Sequence, residues 1–205
     1  MRPEVFPRTV LTSGRLRLRP VEPGDATDVH AAWQDEQFVR TAPVGYRYAR
    51  ADPLTAIVWC ATTDERRLEG LTAEFTVEPL AGGRLLGHVA LFGFDRQARA
   101  AEIHYWTAPW ARGRGYAAEA ARTAAEWALR EMAYERISLR AATGNAASRG
   151  VAASAGFQFE GVLRSAAPAR DGGRTDLAVY SLVRADVAQP AGASAQSTAP
   201  RSTKL

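Results

Sequence analysis

The chain has 205 residues, 46% of them hydrophobic, with one cysteine, three histidines and a formal net charge of +4. This suits one domain with a real core, or one domain plus a tail, and the lone Cys60 excludes an intramolecular disulfide and any cysteine-based metal cluster. The charge is nearly all arginine, Lys204 being the only lysine, and the arginines are scattered among Asp and Glu rather than gathered into a nucleic-acid surface. No apolar run approaches the roughly 20 residues of a membrane span, and no signal-peptide core follows Met1. A cytoplasmic setting is the expectation, with neither nucleic acid nor membrane as partner.

In chain order, residues 1–9 read as an N-terminal extension to a domain over residues 10–185. Arg15-Leu-Arg-Leu-Arg19 alternates with period two and reads as a half-buried strand ended by Pro20. Val29, Ala32 and Trp33 recur at helical spacing within Ala26–Gln34, so a first helix is expected there. Val39–Tyr48 reads as loop, and a second helix should cover part of Pro53–Arg67. Leu71–Val77 and Arg84–Phe92, joined by Gly82-Gly83, read as antiparallel strands. Ala101–Thr107 is a further strand, stopped by Pro109.

From Ala117 to Arg130 an alanine stripe (Ala117, Ala120, Ala121, Ala124, Ala128) marks a helix that packs closely on a sheet. Ile137, Leu139 and Ala141 mark the next strand, and Asn145 caps a short helix ending at Gly156. Phe157–Phe159 and Thr175–Leu182 read as a closing hairpin around the turn-rich Ala166–Gly173. Residues 186–205 carry almost no large apolar side chain and read as a disordered tail.

Arg112-Gly113-Arg114-Gly115-Tyr116-Ala117 lies between the Ala101–Thr107 strand and the alanine helix. Glycines that free the backbone just before a helix N-terminus present unpaired N–H groups to an anion such as pyrophosphate, and Arg112 and Arg114 add charge. An ordinary turn is the plainer reading. A dinucleotide site is the sharper competitor, because Gly113-Arg-Gly115-Tyr-Ala-Ala118 nearly spells G-x-G-x-x-A. Against it, Pro109–Arg112 separates the strand from the glycines, and no repeated βαβ units precede them.

Four blocks in order resemble the GNAT superfamily of acyl-CoA N-acyltransferases, in its branch that acetylates ribosomal-protein N-termini. They are Arg15-Leu-Arg-Leu-Arg-Pro20; Ala101-Glu-Ile-His-Tyr-Trp106; Arg112-Gly-Arg-Gly-Tyr-Ala-Ala-Glu-Ala120; and Asn145-Ala-Ala-Ser148 with Ala155-Gly-Phe157 and Glu160-Gly161. Arg112, Gly115 and Ala117 fill the family's Arg/Gln-x-x-Gly-x-Gly/Ala signature. Two positions depart from it: His104 stands where glycine is usual, and Gly150 follows Arg149 where a large residue is usual.

The resemblance implies an α/β (α+β) domain with a mixed, mostly antiparallel twisted sheet flanked by helices and splayed at its central strands. It implies acetyl-CoA as co-substrate, with no metal, and acetyl transfer to a primary amine, either a peptide N-terminus or a small molecule, by a monomer or homodimer. Tyr105, Trp106 and Thr107 would offer backbone groups to the pantetheine arm, and Arg112 to Ala117 would hold the pyrophosphate. Asn145 would contact the pantetheine amides, or simply cap its helix. Ser148 would bond the CoA sulfur, and Arg149 would reach a phosphate or pair on the surface.

Glu102 and His104 share a strand face, and either could take the amine's proton. An ion-paired carboxylate and a pocket-lining imidazole are the plainer readings. Trp33, Phe38, Tyr46, Tyr48 and Trp59 are candidate acceptor-pocket aromatics, with core packing the plainer reading, and Asp35 and Glu36 could draw a cationic amine or be a solvated helix end. Cys60 lacks an adjacent histidine and is not expected to carry the acyl group. His30 and His88 are not at metal-ligand spacing. Two alternatives to the enzyme remain: a catalytically silent CoA-binding sensor, and a dinucleotide-binding oxidoreductase.

Overall fold

The structure, a computed structural model, describes residues 5–42 and 48–187; the expectations for Tyr46 and for residues 1–4 and 188–205 lie outside the described residues. Eight strands form one sheet in the order β1-β2-β3-β4-β5-β6-β8-β7. They are β1 (Leu11–Thr12), β2 (Leu16–Pro20), β3 (Thr72–Pro79), β4 (Gly87–Asp95), β5 (Ala100–Thr107), β6 (Arg136–Ala142), β7 (Gln158–Pro168) and β8 (Arg174–Val183). Every neighbouring pair is antiparallel except β5 and β6, which run parallel. The helices are α1 (Ala26–Trp33), α2 (Glu36–Thr41), α3 (Pro53–Leu68), α4 (Tyr116–Arg130), α5 (Ala146–Ser154) and the turn-long α6 (Arg184–Val187).

The two sheet faces are chemically unlike. Against one lies α4, whose Ala120, Ala121, Ala124, Ala125 and Ala128 are buried, so that the helix backbone comes close to Val89, Leu91, Ile103 and Ile137. Trp127 fills the remaining space edge-on to Phe75.

The other face, under α1 and α3, is polar. Glu78, Thr76, Glu74 and His88 are nearly sealed from solvent there, and arginines compensate them. Arg17 and Arg19 pair with Glu78, and Arg19 also reaches Asp25, which accepts a hydrogen bond from Thr76. Burial alone would raise the Asp25 pKa; hydrogen bonds from Arg19, the Glu22 N–H and Thr76 outweigh it and hold the carboxyl below its ordinary range.

Two local features shape the sheet beside the cleft. A Cβ at Gly87 would lie 2.4 Å from the Trp106 carbonyl oxygen, so only glycine lets β4 close on the end of β5. The β5–β6 ladder runs only through Ala100–Arg136, Ala101–Ile137 and Glu102–Ser138; beyond it the strands part, while β6 stays paired with β8 along its length. The expected splay is therefore present, and Tyr105, Trp106 and Thr107 lie beyond the last rung.

Candidate active site

On the α4 face, Gly113 (φ +74°) and Gly115 (φ +76°) place the backbone in the left-handed region, with Gly115 as the N-cap of α4. The first intrahelical bond runs from the Glu119 N–H to the Gly115 carbonyl (3.1 Å), so the amides of Tyr116, Ala117 and Ala118 precede it and form the donor-rich end of a four-turn helix. A Cβ at Gly113 would meet nothing within 4 Å, so the loop faces open space of the kind a pyrophosphate needs.

Arg15 braces this loop from the bend just before β2. It donates to the Arg114 carbonyl (3.3 Å), pairs with Glu119 (2.6 Å) and lies 5.1 Å over the Tyr116 ring. Burial would raise the Glu119 pKa, but hydrogen bonds from Ser13 and Arg15 keep it below the usual range. Arg112, one of the two cationic side chains of the loop, donates to Asp35 at the start of α2.

Asn145, Ser148 and Tyr105 meet on the same side of β5. The Asn145 side chain accepts from the Ser148 N–H (3.0 Å), so its capping role is real. Ser148 Oγ is 2.8 Å from the Tyr105 hydroxyl, which also donates to the Ser148 carbonyl (3.1 Å). Burial pushes the Tyr105 phenol up to about 12, partly offset by its bond to Ser148, so it stays protonated at neutral pH. Arg149 donates to the Tyr180 hydroxyl (3.3 Å) and the Thr143 carbonyl (3.1 Å).

Glu102, His104 and Trp106 project from the opposite face of β5. Arg140 on β6 takes both Glu102 oxygens, through Nε (2.9 Å) and Nη2, across the seam where the ladder ends. His104 is half-buried against Phe92 and His88, with ring centroids 5.2 and 5.6 Å away. Burial, and then the charge on His88, pull its pKa down to about 4, so it is a neutral imidazole at pH 7.

Behind it, His88 Nε2 lies 3.2 Å from Glu74, close enough for an ion pair but off-line for a hydrogen bond. Burial would raise Glu74, but His88 and Arg66 bring it down to about 2. Trp106 meets Phe38 of α2 edge-on at 6.0 Å.

Among the candidate pocket aromatics, Trp33, Phe38 and Trp59 are core, and Tyr48 stacks on Trp33 at 4.7 Å. Cys60 is 2% exposed, and burial followed by the charges of Asp25 and Glu74 pushes its thiol up to about 12, which removes any thiolate role. Among the described residues no group of three or more His, Cys, Asp or Glu side chains could hold a metal ion. Residues without a role in the sequence reading, Arg15, Arg140 and the Tyr105 hydroxyl, are therefore built into the site, while Asp35, expected either to draw a cationic amine or to be a solvated helix end, caps α2 and pairs with the glycine loop.

Residues 15–158 match the family model described as acetyltransferase (GNAT) domain. The "Putative ribosomal N-acetyltransferase YdaF" of Bacillus subtilis (strain 168) is 36% identical over 105 residues, 51% of this chain and 57% of its own, so the chain spans little more than half of that curated relative. RimJ of Mycobacterium smegmatis, solved with CoA-disulfide, has a TM-score of 0.77 at 22% identity over 89% of this chain and 90% of its own. The microcin C7 self-immunity acetyltransferase MccE, solved with acetyl-CoA and AMP, has a TM-score of 0.76 at 16% identity over 87% of this chain and 98% of its own. At these identities the two solved structures establish a shared fold.

Proposed function

Because the chain belongs to the GNAT acetyltransferase family, we propose that it transfers the acetyl group of acetyl-CoA to a primary amine, a peptide N-terminus or a small molecule, by direct attack in a ternary complex. The observation that carries this reading is the parting of β5 from β6 after the Glu102–Ser138 rung. The glycine loop, Tyr105 and Ser148 lie on one side of β5, and His104 and Trp106 on the other. Through that gap a thioester held on the α4 face can meet an amine arriving from the α1–α3 face. No such geometry serves a dinucleotide fold, which needs a parallel doubly wound sheet with its glycines directly after a strand.

The co-substrate supplies the activated acetyl group, and this chain's residues divide the remaining work. The α4 amides and Gly113–Gly115 hold the pyrophosphate. The Ser148 hydroxyl, oriented by Tyr105, donates to the departing sulfur, and backbone N–H groups of Tyr105–Thr107 steady the thioester oxygen as it gains charge. One such preorganised donor is worth about 3 kcal/mol.

His104 takes the amine proton. With both Glu102 oxygens engaged by Arg140, His104 is the candidate base whose ring has no side-chain hydrogen bond among the described residues. A weakly basic imidazole suffices because the proton becomes strongly acidic once the new N–C bond forms. It cannot, however, strip a resting ammonium, so the amine must arrive neutral. At pH 7 about 10% of an α-amine is neutral against about 0.04% of a lysine side chain. An α-amine or another weakly basic amine is therefore the favoured acceptor.

The test is an acceptor screen with purified protein and acetyl-CoA, read by mass spectrometry. The expected result is acetylated α-amines, with free lysine side chains untouched near neutral pH. No acetylated product from a broad amine panel, together with saturable CoA binding, would favour a second reading, a silent CoA-binding module, for which the occupied Glu102 speaks.

A further inference from the structure

We propose that α2 couples the two sides of this site, with Asp35 the positioning residue that transmits occupancy of the glycine loop to the segment covering Trp106, and Arg170 the residue that carries it on to the β7–β8 hairpin. The proposal rests on the acetyl-CoA reading. Asp35 Oδ1 serves two groups at once: it accepts the Phe38 N–H (2.8 Å), capping α2, and it accepts from Arg112 of the glycine loop. Phe38, fixed by that cap, packs on Trp106, which stands two residues from His104 on the acceptor side of β5.

The far end of α2 is held separately. Arg170, at the hairpin tip, donates to the carbonyls of Val39, Arg40 (3.2 Å) and Ala42 (2.8 Å). A six-residue helix with one buried side chain has little cohesion of its own. Its position is therefore set by what grips its two ends: the loop that would hold the donor, and Arg170 at the tip of the β7–β8 hairpin. Only one Arg112 donor is used on Asp35, so the guanidinium has others for a phosphate. An anion in the loop then restrains Arg112, and through Asp35 the start of α2, lowering the cost of ordering α2 for whatever binds next.

Asp35→Ser separates capping from coupling, because serine caps a helix as well as aspartate but is too short to pair with Arg112. Hydrogen exchange is measured with and without CoA on the full chain, with CoA affinity read by calorimetry. In the wild type CoA is expected to slow exchange at 113–117, at Val39 and Ala42, whose amides bond back to Asp35 and Phe38, and at Ala169 and Gly172 in the tip. A slowing of about fivefold or more at α2 corresponds to ordinary coupling between sites.

Asp35→Ser should bind CoA and protect 113–117 while losing the α2 response. Arg170→Ala should keep the α2 response and lose that of the tip. An α2 response unchanged in Asp35→Ser, or absent from the wild type while 113–117 is protected, overturns the coupling. Absence of CoA-dependent protection anywhere overturns the acetyl-CoA reading and the coupling with it.

Discussion

Two candidate bases lie on one face of β5, and their neighbours separate them. Glu102 spends its oxygens on Arg140, whereas His104 keeps a neutral ring with a pKa near 4 because of its burial and, second, the charge of His88 beside it. We expect His104→Gln to lower kcat by about 10²-fold, the usual contribution of a positioned base, with CoA affinity unchanged. Glu102→Gln should stay within about threefold, since proton transfer is not its task. The acid limb of kcat/KM should follow the amine rather than a group near pH 6.5; a limb at 6.5 that vanishes in His104→Gln would show that His104 is more basic than its surroundings imply. None of this was readable from the sequence. Period-two spacing puts Glu102 and His104 on one face, but the partner that decides between them, Arg140, is 38 residues away.

At the scale of elements, legibility followed periodicity. The alanine stripe defined α4 to within a residue of its observed start at Tyr116, and alternation defined β5 to within a residue of Ala100. α2 was missed and read in part as loop, because six residues with only Phe38 buried show no helical period. β7 runs to Pro168, well past Phe159, because a strand exposed on both faces has no alternation to read. The glycine loop was legible as a glycine-freed turn opening a helix, but its braces, Arg15 and Asp35, come from other elements. Gly115 sits at φ +76°, where a Cβ costs about 1–2 kcal/mol. Gly115→Ala should therefore weaken CoA binding by about tenfold in calorimetry while the acceptor KM is kept; unchanged CoA affinity would mean that the α4 start does not hold the donor.

For the molecule as a whole, the polar sheet face sets the response to acid. His104 titrates near 4 in the folded chain against 6.5 ordinarily, and Glu74 near 2 against 4.5. In both cases the unfolded chain binds the proton first, so stability is complete above about pH 6.5, is lost through His104 as pH falls toward 4, and is lost further through Glu74 between about 4.5 and 2, with Asp25, also held below its ordinary range, acting in the same direction. Denaturant midpoints from pH 7 to 3 should fall monotonically, and Glu74→Gln should flatten the lower part of the slope. The same packing gives the protein a gauge of its own opening. The sole thiol of the chain, Cys60, is sealed under α3 beside Trp59, so an alkylating reagent should reach it only when α3 lifts from the sheet. The labelling rate of the untouched wild-type chain then reports how often that helix detaches, with no probe to engineer, and adding CoA would reveal whether a ligand on the far face quiets it.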